Sequence, residues 1–169
     1  GNLIQDVAAI RALNHLTRKS PDKFGFHDVR ATTGFHQWMG GFPQDAAQSF
    51  AVISWGAAAA VLATATKALV KTPHEAMGVP TNAATPAGLK ATKQLTSMLK
   101  DQSFVDIPAV VAESQIIKGE VECILNKVEE LGKGDYVQGT IAAFEAGVID
   151  IPFAPSKYNA GKLMPARDN

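Results

Sequence analysis

Cysteine is nearly missing from this sequence: Cys123 is the only one in 169 residues. That excludes an internal disulfide framework and any multi-cysteine metal site within the chain. Neither sign of charge prevails. The 16 lysines and arginines balance 16 aspartates and glutamates, so nothing here recommends nucleic acid or an anionic membrane as a partner. Long hydrophobic runs are missing too. The longest apolar tract, "SWGAAAAVLATATKALV", is alanine-rich and broken by polar residues, which suits a buried helix followed by a strand and not a membrane span. The glycine patterns GxGxxG and GxxxxGK[ST] are not present, and Ser54 and Ser156 lack the context of a nucleophile elbow. The opening stretch carries Asp6 and Arg11 among its apolar residues and no small-residue cleavage site, so it does not read as a signal peptide. A reducing, cytoplasmic setting is the expectation.

What is present suits one soluble globular domain: 46% hydrophobic and 19% charged residues. Leu3, Ile4, Val7, Ile10, Leu13 and Leu16 recur at three- and four-residue spacings, which predicts an amphipathic helix over 3–16 with Asn2 as its N-cap. A loop is expected at "RKSPDKFGF", then a short strand within "HDVRATTGFHQWM" and a glycine turn. Asp45 opens an alanine-rich helix to about Ala63, and "TKALVKT" reads as a strand buried on both faces. Helices follow over roughly 84–101, 105–131 and 135–146, the second with Leu125, Val128 and Leu131 turned inward. "GVIDIPFAPS" gives a last apolar segment. This alternation predicts parallel βα units. Strand-like segments are too few to close an eight-stranded barrel, and both ends of the chain look cut. The expected fold class is therefore α/β, a partial TIM (β/α) barrel that is a fragment of a larger subunit.

In parallel α/β folds, ligands bind beyond the carboxyl ends of the strands. That rule selects "FHQWMGGFPQD", "VKTPHEAMGVP" and "DIPFAPSKYN". Lys71 closes a strand and can serve as a Schiff-base amine, a phosphate contact or a donor to a sugar, against the plain reading of a strand-end lysine in solvent. Glu75 can accept from a ribose diol, act as a base, or cap the following turn. His74 has no partner at ligand spacing and reads as structural. Gly40 and Gly41 allow backbone to approach a ligand closely. Trp38, Met39 and Phe42 can form an apolar wall, although aromatics near a turn are more often core. "GKGD" at 132–135 reads as a helix C-cap followed by an N-cap, and Cys123 as a small core residue.

Taken together, "NLIQDVAAIRAL", "FHQWMGGFPQD", "ISWGAA", "TKALVKTPHEAMGVPT", "GLKATKQL" and "AFEAGVIDIPFAPSKYNAGKLMPARDN" resemble one family over nearly the whole chain. It is the epsilon (large) subunit of adenosylcobalamin-dependent glutamate mutase, also called methylaspartate mutase. The resemblance implies that residues 1–169 are the C-terminal half of a (β/α)8 barrel catalytic domain, incomplete at both ends. It implies a radical carbon-skeleton isomerase interconverting L-glutamate and (2S,3S)-3-methylaspartate, with adenosylcobalamin as cofactor. Implied partners are a small cobalamin-binding subunit carrying a DxHxxG motif and a second copy of the large subunit.

On the same resemblance, Lys71 and Glu75 match the positions that hold the adenosyl ribose, and Phe42 and Val79 match positions that touch the cofactor. The family's substrate-clamping arginines and carboxylate have no match here, so no catalytic residue is assigned. The chain has no DxHxxG motif, and His15, His27, His36 and His74 are not proposed as cobalt ligands. Two other readings stand beside this one: a noncatalytic assembly module, and a barrel lyase using Lys71 as a Schiff base. A barrel cut through its strand series exposes sheet edges, so the isolated 169-residue chain is expected to associate or aggregate. Size-exclusion chromatography checks this, and a sharp monomer peak with cooperative melting would count against it.

Overall fold

The computed structural model describes residues 1–38 and 41–150. Along them run α1 (Leu3–Lys23), β1 (Gly34–His36), α2 (Ala46–Leu62), β2 (Lys67–Leu69), a one-turn 3₁₀ helix (Glu75–Met77), α3 (Ala84–Leu99), α4 (Pro108–Leu131) and α5 (Tyr136–Ala146). Two compact units divide the chain after Lys118, within the span of α4. The described part is mostly helical, with one two-stranded sheet whose strands run parallel. Met39 and most of the segment expected as a last strand lie outside the described residues, and Val148–Asp150 are not strand. None of the helices described is long and apolar enough to cross a membrane.

Local chemistry accounts for the helix starts. The Asn2 side-chain oxygen accepts from the Ile4 and Gln5 N–H groups at 3.1 and 3.3 Å, and Asp45 accepts from Gln48 N–H at 2.9 Å. Each satisfies donors that the first turn of a helix leaves unpaired. The expectation that α1 stops at Leu16 is corrected: it runs on through Pro21 to Lys23. A proline in the closing turn forfeits one hydrogen bond without ending the helix, and the turn closes when Phe24 N–H donates to the Pro21 carbonyl at 3.0 Å.

In the first unit, Val7 and Ala8 of α1 meet Leu62 and Ala63 at the end of α2 and Val110 of α4. Ile4, Ile10, Phe104 and Ile107 pack around this core. Burying an aliphatic side chain as fully as Val7 or Val110 contributes about 1.5–3 kcal/mol. The α2 helix lies against the sheet and packs chiefly on α3. Small residues allow the approach: Gly56, Ala57, Ala59 and Ala60 of α2 are buried. A Cβ on Gly56 would fall 2.8 Å from Cγ of Gln37, and one on Gly88 of α3 would collide with the Lys71 carbonyl oxygen.

Each strand is only three residues long, with Gly34, Phe35 and His36 opposite Lys67, Ala68 and Leu69. Side chains bracket this short ladder. Below it, Thr33 N–H donates to the Thr66 hydroxyl at 3.3 Å while Thr66 N–H donates to the Thr33 hydroxyl at 3.2 Å. The expectation of a strand buried on both faces does not hold here, since Leu69 is 46% exposed. Lys67 and Leu69 lie over Gly34, on the face that α2 does not cover.

In the second unit, the "GKGD" reading stands. Gly132 and Gly134 N–H groups donate back to the carbonyls of Val128 and Glu129, and Asp135 caps α5 through the Val137 and Gln138 N–H groups. Two expectations are corrected: Cys123 is exposed, and Leu125 is 44% exposed. Val128 is the buried residue, packed where Gly139 of α5 meets its carbonyl. Cys123, five residues before Val128, falls on the far side of the helix, whereas Leu125, three residues before it, flanks the contact at its exposed edge.

Two of the helix glycines, Gly88 and Gly119, should respond in opposite ways to alanine. Gly88→Ala gains up to about 1 kcal/mol of helix propensity but must displace buried backbone, which costs about 1–3 kcal/mol or more. Denaturant unfolding should show a net loss of about 2 kcal/mol. Gly119→Ala places a methyl in open space and should stabilise by about 0.5–1 kcal/mol.

Candidate binding site at the carboxyl ends of the strands

Both strands end at one buried side chain. Gln37, the residue after β1, is fully buried. Its amide nitrogen donates to the Ile53 carbonyl of α2 at 3.2 Å and to the Thr92 hydroxyl of α3 at 3.0 Å. Its amide oxygen accepts the Lys71 backbone N–H at 2.9 Å. A primary amide has two donor hydrogens and an acceptor oxygen, so both of its ends are engaged. The clamp joins the end of β1, the extension of β2, and helices α2 and α3.

Beyond that anchor the chain turns. Thr72 and Pro73 are buried. His74 N–H donates to the Thr72 hydroxyl at 3.3 Å, and Glu75 N–H donates to the Thr72 carbonyl at 3.2 Å. This turn brings the Glu75 carboxylate back over Lys71, where the Lys71 ammonium donates to Oε1 at 2.5 Å. The two side chains are 18% and 33% exposed. The capping alternative for Glu75 is not realised: His74 holds the cap position of the 3₁₀ turn, with no side-chain cap bond. The His74 ring lies 3.4 Å from the Thr81 hydroxyl, a structural tie across the loop. Gly78, at φ +97°, supplies a left-handed position between them.

Of the residues selected from sequence, the structure thus brings Lys71 and Glu75 together. Phe42 is half-buried on the loop from β1 to α2, where Trp38, at φ +52°, donates its indole N–H to the Gly41 carbonyl at 3.0 Å. Val79 stands 93% exposed on the loop from β2 to α3. No three His, Cys, Asp or Glu side chains converge as metal ligands do among the described residues. Chemically, a part-exposed ion pair contributes only about 0–1 kcal/mol. An ammonium donor and a carboxylate acceptor held this way can exchange each other for hydroxyls of a ligand at little cost.

Sequence reading passed over Gln37, Thr72, Thr92, Gly56 and Gly88. The two glycines did carry a signal, because glycine inside a strong helix former marks close approach. Gln37 carried none beyond a polar residue at a strand end.

The family model described as methylaspartate mutase E chain (MutE) matches residues 1–169. The chain belongs to that family. Among curated relatives, the glutamate mutase epsilon subunit of Treponema denticola is 56% identical over 169 residues, which is 100% of this chain and 35% of the relative. The subunits of the same name from Escherichia coli O157:H7 and Desulfitobacterium hafniense are each 54% identical, with the same coverage. The chain thus spans about a third of the length of the curated relatives it matches. Membership in the family agrees with the resemblance read from the sequence.

Removing the Gln37 amide tests whether it holds this site. Gln37→Leu leaves the Lys71 N–H and the Thr92 hydroxyl short of a partner inside the protein, at about 1–3 kcal/mol for each unsatisfied group. Chemical unfolding should show a loss of about 2–4 kcal/mol. Hydrogen exchange should show faster exchange of the Lys71 amide than of amides in α1.

Proposed function

We propose that this chain forms one wall of the adenosyl pocket in the large subunit of an isomerase that interconverts L-glutamate and (2S,3S)-3-methylaspartate with adenosylcobalamin. The observation that carries the reading is the half-buried Lys71–Glu75 pair just past the carboxyl end of β2. When bound, the cofactor supplies a cobalt–carbon bond that breaks homolytically, the radical source such a rearrangement needs. The chain's own residues bind and exclude. Lys71 donates to a ribose hydroxyl, and Glu75 accepts from ribose hydroxyls, each giving up the other as partner. Phe42 and Val79 contribute apolar surface that keeps water from the pocket.

The relatives described above are glutamate mutase epsilon subunits, which supports the assignment. Parallel strand register with covering helices, and a sheet face bearing Lys67 and Leu69 that α2 leaves open, support residues 1–169 as the C-terminal half of a (β/α)8 barrel. In that arrangement the open face is turned to the barrel interior, and the substrate clamp belongs to the other half. The assembly would include a small cobalamin-binding subunit with a DxHxxG motif and a second copy of the large subunit, in the cytoplasm. The pairing of Lys71 with Glu75 weighs against the Schiff-base alternative, which requires a free neutral amine.

The test is turnover of L-glutamate by the complete subunit with a cobalamin-binding small subunit and adenosylcobalamin. Activity should require both additions, and no turnover from a folded, cofactor-binding complex would overturn the substrate assignment. Within that assay Lys71→Met should lower turnover about 10- to 100-fold, as expected for loss of a charge-assisted hydrogen bond. An unchanged rate and cofactor affinity would remove Lys71 from the site.

A further inference from the structure

A second concave site lies in the first unit, where α2 turns toward β2. It has a volume of about 320 Å³, and its walls include Arg11, His15 and Arg18 of α1, Thr64, and Ser114 and Lys118 of α4. The α1 residues recur at the three- and four-residue spacing that puts them on one helix face. Ser114 and Lys118, four apart on α4, face them. Among the described residues no carboxylate lines this space. Arg11 is held by Asp106 at 3.0 Å, which offsets one charge and leaves Arg18 and Lys118 as the positive side chains of the wall.

One observation there has no structural explanation. Ser114 is 1% exposed, and its hydroxyl oxygen has no hydrogen-bond partner among the described residues. A buried hydroxyl left unpaired costs about 1–3 kcal/mol. A helical serine can usually recover a bond by donating to the carbonyl one turn back, and Ser114 does not. It faces a polar cavity instead.

We propose that this pocket is an anion site taking a phosphate-class dianion. Arg18 and Lys118 neutralise its two charges, Arg11 lends a guanidinium N–H without leaving Asp106, and the Ser114 hydroxyl donates to one of its oxygens. Arginine suits such a ligand through its planar fork of donors, and lysine as a point charge. The site is distinct from the Lys71–Glu75 pair, which shares no residue with it.

The experiment is a titration of the complete subunit with sodium phosphate, followed by calorimetry and thermal unfolding, against sodium chloride at matched ionic strength. Phosphate should bind saturably and raise the melting temperature where chloride does not. Ser114→Ala should weaken binding about tenfold, and Arg18→Ala combined with Lys118→Met at least about 30-fold. Arg18 is exposed, so this second variant keeps the test decisive should Ser114→Ala fold poorly. Equal responses to phosphate and chloride, or saturable binding that survives Arg18→Ala with Lys118→Met, would overturn the proposal. None of these readouts involves glutamate or cobalamin, so the outcome stands apart from the mutase reading.

Discussion

The carboxyl end of this sheet depends on one buried amide. Gln37 is fully buried, and its side chain bonds to α2, to α3 and to the backbone of Lys71. A buried polar group either finds its partners or destabilises the fold. Here the partners come from three separate elements, so satisfying the amide is the same event as assembling the site. The approach that makes this possible comes from Gly56 and Gly88, which let the helices reach Gln37 and Lys71 where a methyl group would stand in the way.

From that anchor the order of consequences is short. With its N–H tied down, Lys71 leaves the strand in a set direction. Thr72 then shapes the turn through its hydroxyl and carbonyl, and the turn returns Glu75 to the lysine side chain. The ion pair itself stabilises little. Its position is maintained by neutral hydrogen bonds and close packing beneath it, which leaves the two charged groups available for other partners.

Much of this was legible in the sequence because it is local. Helix starts at Asn2, Asp45 and Asp135 announce themselves through side chains that cap their own first turns. The parallel arrangement of β1 and β2 follows from a helix lying between them. Lys71 and Glu75 sit four residues apart, close enough for one turn to join them. What was not legible depends on distant residues. The partners of Gln37 lie 16, 34 and 55 residues away, and no pattern within a short window could show them. The exposure of Cys123, Leu125 and Leu69 likewise depends on which surfaces the neighbouring elements cover, whereas composition speaks only of what a residue prefers. The apolar periodicity of α1 ends at Leu16 and its last turns are polar, so the helix outran the boundary that periodicity marks.

The reciprocal Thr33–Thr66 bonds at one end of the sheet, and the Gln37–Lys71 bond at the other, enclose a ladder only three residues long. So few ladder bonds would tolerate slippage, but two matched side-chain brackets do not. Because side chains alternate across a strand, one residue inserted or deleted between Thr66 and Lys71 would turn the lysine to the opposite face while leaving every residue type in place. For this stretch of chain the spacing is the specification. Its letters can vary more freely than its length.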